Sequence, residues 1–229
     1  ALIAGAWAAG MAPDKMSEAL AGADWNDMFV DNPEYAEMSH RNKLVSRRYL
    51  PGSESGVSSN GVVYQSGAVS GQKIKLFFNQ LVRANQGERN IEDLPLPLSI
   101  LATDIGTGER VVFREGPLTT AMRASMSVPG LIAPVDHQGR KLVDGGLVDN
   151  LPVREVRDHC KADVVIAVNV GSPLLKAEEV GSLLTVSAQM VSILTEQNVQ
   201  RSLATLSPRD IYIQPELNGI SAGDFTKHV

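Results

Sequence analysis

The chain has 229 residues, of which 43% are hydrophobic and 21% charged, with a formal net charge of -5. That length and apolar share supply one substantial core, so a single domain over residues 1–229 is expected. The acidic balance argues against nucleic acid, which calls for clustered Lys and Arg, and a single cysteine, Cys160, leaves neither an internal disulfide nor a cysteine metal cluster.

The opening residues 1–10 are almost all small and apolar. They lack the basic leading region of a signal peptide and are too short to span a bilayer. A helix without a polar face is a buried one, and none of Ser, Thr, Asp or Asn stands before it as an N-cap. This pattern reads as a buried helix whose true beginning lies before Ala1. Gly10 is placed as its stop signal, and Pro13 starts a second helix to about Leu20.

Residues 24–66 look largely irregular, apart from a helix at 34–39. The Ser/Gly-rich stretch 51–61 reads as a mobile loop. Apolar Ile74, Phe77, Phe78, Leu81 and Val82 recur at helical spacing, so residues 70–84 are predicted as an amphipathic helix. Buried strands follow at 96–103 and 111–113, separated by the turn Gly106-Thr107-Gly108. Pro117 opens a helix over 117–126. A short strand, Lys141-Leu142-Val143, ends at Asp144. Asn150 is read as the N-cap of a helix over 151–159. The β-branched run 164–168 has the look of a parallel strand covered on both faces. A long helix is predicted over Leu183–Leu203, and a late strand over Ile211–Ile213. Strands alternating with helices predict an α/β fold, a mostly parallel sheet with helices on both faces.

The chemistry concentrates in Asp144-Gly145-Gly146. A carboxylate at a strand end, followed by two glycines, can face a crevice with room for a partner. Taken alone, Asp-Gly-Gly is more often a tight surface turn. The four histidines (His40, His137, His159, His228) are scattered and form no metal-ligand pair at helical spacing, and no cofactor motif occurs.

Four blocks in order change the weighing. Asp144-Gly145-Gly146 with Asn150-Leu151-Pro152, the segment from Arg123 to Val135, Thr103-Asp104-Ile105-Gly106-Thr107-Gly108-Glu109, and the opening Ala1-Leu2-Ile3-Ala4-Gly5-Ala6 resemble the patatin-like phospholipases, bacterial branch. The resemblance implies a three-layer fold related to the α/β-hydrolases. It also implies a lipid acyl hydrolase (a phospholipase, lysophospholipase or esterase) using a Ser-Asp dyad and an acyl-enzyme. On this resemblance Asp144 is the general base, Gly145 and Gly146 form its supporting turn, and no cofactor or metal is required.

The family's G-x-S-x-G elbow does not occur in these 229 residues. The resemblance places the serine three residues before Ala1 and the oxyanion loop further upstream, so the chain is read as lacking its start, with the completeness of its end left open. The isolated chain is expected to be inactive. A catalytically dead lipid-binding module is the alternative.

Phe77 and Phe78 are candidates for an acyl pocket, with core packing as the alternative. Arg123 is a candidate for a phosphate head group, against a surface salt bridge. Asp149 reads as a helix-end charge in preference to a second acid, and Asp104 as a hairpin residue. Arg41, Lys43, Arg47 and Arg48 form a basic cluster read as a solvated face. The expected partner is a phospholipid or other lipid ester, with transient membrane-surface contact. The sequence leaves compartment and oligomeric state open.

Overall fold

A computed structural model describes residues 1–31, 36, 38–46, 55–59, 61–64, 67–82 and 88–217. In chain order the elements are α1 (Leu2–Ala8), α2 (Pro13–Ala21), α3 (Trp25–Met28), α4 (His40–Ser46), β1 (Ser55–Ser58), β2 (Gly61–Tyr64), β3 (Gly67–Val69) and α5 (Gln72–Leu81). They continue with β4 (Ile100–Asp104), β5 (Arg110–Phe113), α6 (Leu118–Ser125), β6 (Gly130–Ile132), β7 (Val135–His137), β8 (Arg140–Asp144), α7 (Gly146–Asp149) and α8 (Val153–Cys160). The last three are β9 (Ile166–Val168), α9 (Leu183–Leu203) and β10 (Ile211–Ile213).

The centre is a four-stranded sheet in the order β5-β4-β8-β7. Every residue of β4 is buried, because the strand has a neighbour on each side and helices against it. Its register sets Ala102 opposite both Val111 and Asp144. Helix α6 packs against this sheet, and α5 packs against α6. The spacing of Ile74, Phe78 and Leu81 lays one stripe of α5 inward. Fully burying a side chain such as Phe78 contributes roughly 1.5–3 kcal/mol, and Phe78 and Leu118 are 0% exposed.

Small residues set how closely α1 approaches α6. Gly5, Ala6 and Ala8 face inward, and a Cβ on Gly5 would sit 2.7 Å from the Met122 sulfur. The buried guanidinium of Arg123 clasps the loops around α6. It donates to the carbonyls of Ser70 at 2.5 Å, Ala133 at 2.9 Å and Gly71 at 3.3 Å, and to Ser127 Oγ at 2.5 Å. Gly71 has φ +75° and its Cβ position is filled by that guanidinium, so glycine is required there on two counts.

A second, smaller core joins Leu151, Val153, Val165, Ala167 and Val199. Ser182 caps α9, accepting the Thr185 N–H at 3.1 Å. Beneath the β9–β10 pair, Asp210 accepts the Val165 N–H at 2.8 Å and an Arg157 N–H at 2.5 Å.

The α/β character holds, but the sheet is not mostly parallel. All three pairings of the four-stranded sheet are antiparallel, because the turn after β4 and the turn between β7 and β8 are hairpins and not helical crossovers. The parallel pairings are β3 with β6 and β9 with β10. The run 164–168 is also not covered on both faces: Ile166 is 62% exposed, and β9 alternates exposed and buried. Likewise α1 is not buried all round, since Ile3 and Trp7 are exposed.

Within 51–61, residues 55–58 form β1 and pair with β2, while 51–54 and 60 lie outside the described residues. Of the helix anticipated at 34–39, residues 34, 35 and 37 lie outside the described residues and 36, 38 and 39 are not helical; the helix observed nearby is α4. Asn150 does not cap α8. That helix starts at Val153 after Pro152, and Asn150 instead ends α7.

Candidate active site

Asp144 is the last residue of β8, and both its backbone groups are held. Its N–H donates to the Ser127 carbonyl at 3.0 Å, and its carbonyl accepts the Thr103 hydroxyl at 2.8 Å. Ser127 is in turn gripped by Arg123. The strand tip is thereby fixed from α6 on one side and β4 on the other. The Asp144 side chain folds back so that Oδ1 accepts the Gly146 N–H at 2.7 Å.

The two glycines are needed for space and not for positive φ. Gly145 has φ -67°, and Gly146 is not among the residues of positive φ. A Cβ on Gly145 would lie 2.4 Å from the Leu101 carbonyl oxygen, and one on Gly146 would lie 2.8 Å from Asn150 Oδ1 and 3.1 Å from Asp144 Oδ1. The chain turns here with ordinary dihedrals, pressed against the backbone of β4. The asparagine at position 198, on α9, bonds to both ends of α7, at the Gly146 carbonyl and the Asn150 N–H.

Asp144 opens onto a cleft of about 430 Å³. The start of α1 (Ala1 and Ala4), Leu101, Met126 and Gly146 share its walls. The carboxylate and the beginning of the first helix therefore face the same space. Burial pushes the Asp144 carboxyl above its ordinary range. The Gly146 N–H pulls in the opposite direction and offsets only part of that rise. Among the described residues no Lys, Arg or His side chain forms an ion pair with it. The result is a half-buried acid with a raised pKa beside an open cleft, a combination that marks a candidate for proton transfer.

The other singled-out residues lie elsewhere. Phe78 is fully buried in the main core, and Phe77 packs edge-on against Trp25, 5.7 Å between ring centroids. Neither lines the Asp144 cleft, because the inward stripe of α5 faces α6. Arg123 is buried at 5% exposure with its donors turned to carbonyls, so it is unavailable to a head group, and it is no surface salt bridge either. Asp149 reaches the cleft wall but is paired with Arg110 at 2.7 Å. Asp104 stays in its hairpin, accepting the Gly106 N–H at 2.9 Å. Of the basic cluster, Arg47 and Arg48 lie outside the described residues, and Lys43 donates to the Ala36 carbonyl at 3.1 Å. Thr103, Ser127 and Asn198 were not singled out from the sequence. Hydroxyl and amide side chains are too common for any one of them to stand out before their partners are known.

Among the described residues no group of three or more His, Cys, Asp or Glu could hold a metal ion, and no helix is long and apolar enough to cross a membrane. A larger hollow of about 1060 Å³ lies between α9 and the segment after β9. It lacks a strand-tip carboxylate comparable to Asp144.

Comparison with known proteins adds independent information. An uncharacterised NTE family protein of Mycobacterium tuberculosis is 45% identical over 89 residues, covering 39% of this chain and 24% of that protein. A patatin-like phospholipase domain-containing protein of Caenorhabditis elegans is 42% identical over 97 residues, covering 42% of this chain and 7% of that protein. A lysophospholipase of Aspergillus niger is 29% identical over 177 residues, covering 66% of this chain and 11% of that protein. The chain thus spans a quarter or less of the length of these relatives. The sequence profile of the patatin-like phospholipases matches residues 1–157, a stretch that holds α1, the four-stranded sheet, Asp144 and its two glycines, and by that match the chain belongs to the patatin-like phospholipase family.

Proposed function

We propose that this chain belongs to a lipid acyl hydrolase in which Asp144 serves as general base and acid for a serine located three residues before Ala1. The observation that carries the proposal is the shared cleft: Asp144 and the start of α1 line one cavity. A nucleophile at the turn leading into α1 comes alongside the carboxylate. Family membership and the name of the Aspergillus niger relative, a lysophospholipase, support the lipid ester as substrate.

In this mechanism the carboxylate of Asp144 takes the serine hydroxyl proton as the oxygen attacks the ester carbonyl. Backbone N–H donors upstream stabilise the tetrahedral oxyanion, a contribution of roughly 10²–10³ in rate for each donor. The intermediate collapses, the C–O bond to the leaving alcohol breaks, and Asp144 returns the proton to that alcohol. Water then attacks the acyl-enzyme, giving up its proton to Asp144, and the free acid leaves as the serine is reprotonated. An ordinary aspartate, with a pKa near 3.9, is a weak base for this task. Burial of Asp144 moves it in the useful direction. The substrate resides at a membrane surface, so transient contact there belongs to the proposal, and exposed Ile3 and Trp7 on α1 suit it. No cofactor is invoked.

The test uses the full-length protein, incubated with a fluorophosphonate probe and with lysophospholipid. Covalent labelling of one serine and release of fatty acid are expected. A folded full-length protein that neither labels nor hydrolyses leaves the lipid-binding module as the surviving account.

A further inference from the structure

Asn198 lies inside the C-terminal half of α9 and is 4% exposed. Asparagine is a poor helix former, and its amide is costly to bury without partners. Here the amide is well occupied. Oδ1 accepts the Asn150 N–H at 2.8 Å, while Nδ2 donates to the Gly146 carbonyl at 2.8 Å and to the Leu194 carbonyl at 3.1 Å. Gly146 and Asn150 are four residues apart, the spacing of an α-helical hydrogen bond. The side-chain amide therefore bridges the two backbone groups that such a bond joins. Gly146 is also the residue whose N–H holds Asp144 Oδ1 at 2.7 Å.

We propose that Asn198 is a positioning residue for the Asp144 carboxylate. By gripping the carbonyl of Gly146 and the N–H of Asn150 it fixes the short helix α7, and with it the direction in which the Gly146 N–H meets the carboxylate. Asn198 does not line the Asp144 cleft, so it acts through Gly146 and not on substrate. A purely space-filling role needs only a side chain of similar volume. A positioning role needs the amide, with a donor toward Gly146. The catalytic consequence rests on the hydrolase reading above; the local structural consequence does not.

The experiment compares the full-length protein with Asn198→Leu and Asn198→Asp. The first keeps the branched shape and the number of side-chain heavy atoms without polarity. The second keeps an oxygen for the Asn150 N–H and removes the donor to Gly146. Hydrogen–deuterium exchange over residues 142–150 is expected to quicken at least about tenfold in both variants, because local opening becomes easier, while β4 and α6 keep their protection. Unchanged exchange over 142–150 overturns the proposal whatever the activity. In ester hydrolysis, kcat is expected to fall about 10- to 100-fold with KM nearly constant, the scale of a misplaced reacting group. The acid limb of the pH profile is expected to move to higher pH, since the carboxylate loses a well-aimed donor. An unmoved limb with unchanged kcat also overturns it. If the parent protein hydrolyses no ester, the hydrolase reading fails and the exchange measurement alone decides the role of Asn198. Should Asn198→Leu fail to fold, Asn198→Asp carries both measurements.

Discussion

Two strand-end turns in this molecule start alike and end differently. Asp104 closes β4 and accepts the N–H of Gly106 at 2.9 Å; Asp144 closes β8 and accepts the N–H of Gly146 at 2.7 Å. In both, a carboxylate folds back onto the amide two residues on, a habit of aspartate at turns. Because β4 and β8 run antiparallel, the two turns lie toward opposite ends of the sheet. The chain after Asp104 returns at once as β5, and Arg140 stands 3.8 Å from the carboxylate. After Asp144 it coils into α7, held by Asn198, and a cleft opens beside an acid that burial has pushed upward in pKa. The local sequence sets the turn. The surroundings decide whether the carboxylate is structural or available for chemistry.

The sharpest way to break this comparison is to neutralise each acid in turn. Asp144→Asn in the full-length protein is expected to lower ester hydrolysis by about 10³-fold or more, within the range for general acid–base groups. Asp104→Asn is expected to leave turnover within about twofold, its carboxylate being remote from the cleft. Steady-state hydrolysis of lysophospholipid measures both. Near-normal activity in the first variant removes Asp144 from the mechanism.

Glycine substitutions sharpen the same contrast. Gly145→Ala drives a Cβ to within 2.4 Å of the Leu101 carbonyl oxygen, and should cost about 1–3 kcal/mol as an overpacked site. Gly106→Ala places its Cβ 3.3 Å from Asp104 Oδ1 without a positive φ to relieve, and is expected to stay within about 1 kcal/mol. Urea unfolding gives both values. Equal costs would mean that the two turns are under equal steric constraint.

The pH dependence of stability separates acids of opposite shift. Asp144 has its folded pKa raised, so the folded state holds its proton more tightly than the unfolded one. Its ionisation therefore costs stability as pH rises above about 4, the unfolded value. Asp144→Asn is expected to melt higher than the parent at pH 7, with the gap closing toward pH 3. Asp210 is the reverse: two backbone N–H donors, from Ser207 and Val165, hold its pKa well below the usual carboxylate range. Its contribution is present at neutral pH and is lost as pH falls below the unfolded value. Asp210→Asn should melt lower at pH 7, and that gap too should shrink in acid. Thermal melts at several pH values check both signs. The smallest effect is expected from Arg140→Gln, an exposed residue 3.8 Å from Asp104, within about 0.5 kcal/mol.

The parts legible in the sequence were those with strong local signals. Helix α9 runs over Leu183–Leu203, the bounds the sequence predicts, and Asp144 stands at a strand end as its Gly-Gly neighbours suggest. What escaped depended on partners distant in sequence. Arg123 looks like a surface cation until Ser70, Gly71 and Ala133 surround it. Nothing beside the glycines after Asp144 reveals that the constraint on Gly145 is the Leu101 carbonyl, more than forty residues earlier. The bonds of Asn198 to Gly146 and Asn150 span 52 and 48 residues. No window of local sequence contains both ends of such a contact. The parallel sheet was anticipated from strand–helix alternation, but β7 and β8 are joined by only two residues, too few for a crossover.

The tight seat of Gly5 against Met122 has a consequence for how variation in this chain is interpreted. A methyl group there acts as a shim, so that either the Met122 side chain or the first helix must shift, and a shift of the helix moves its leading end relative to the acid across from it. A random mutagenesis screen for lost turnover should therefore return hits at position 5, a residue with no reactive atom and no share in the cavity wall.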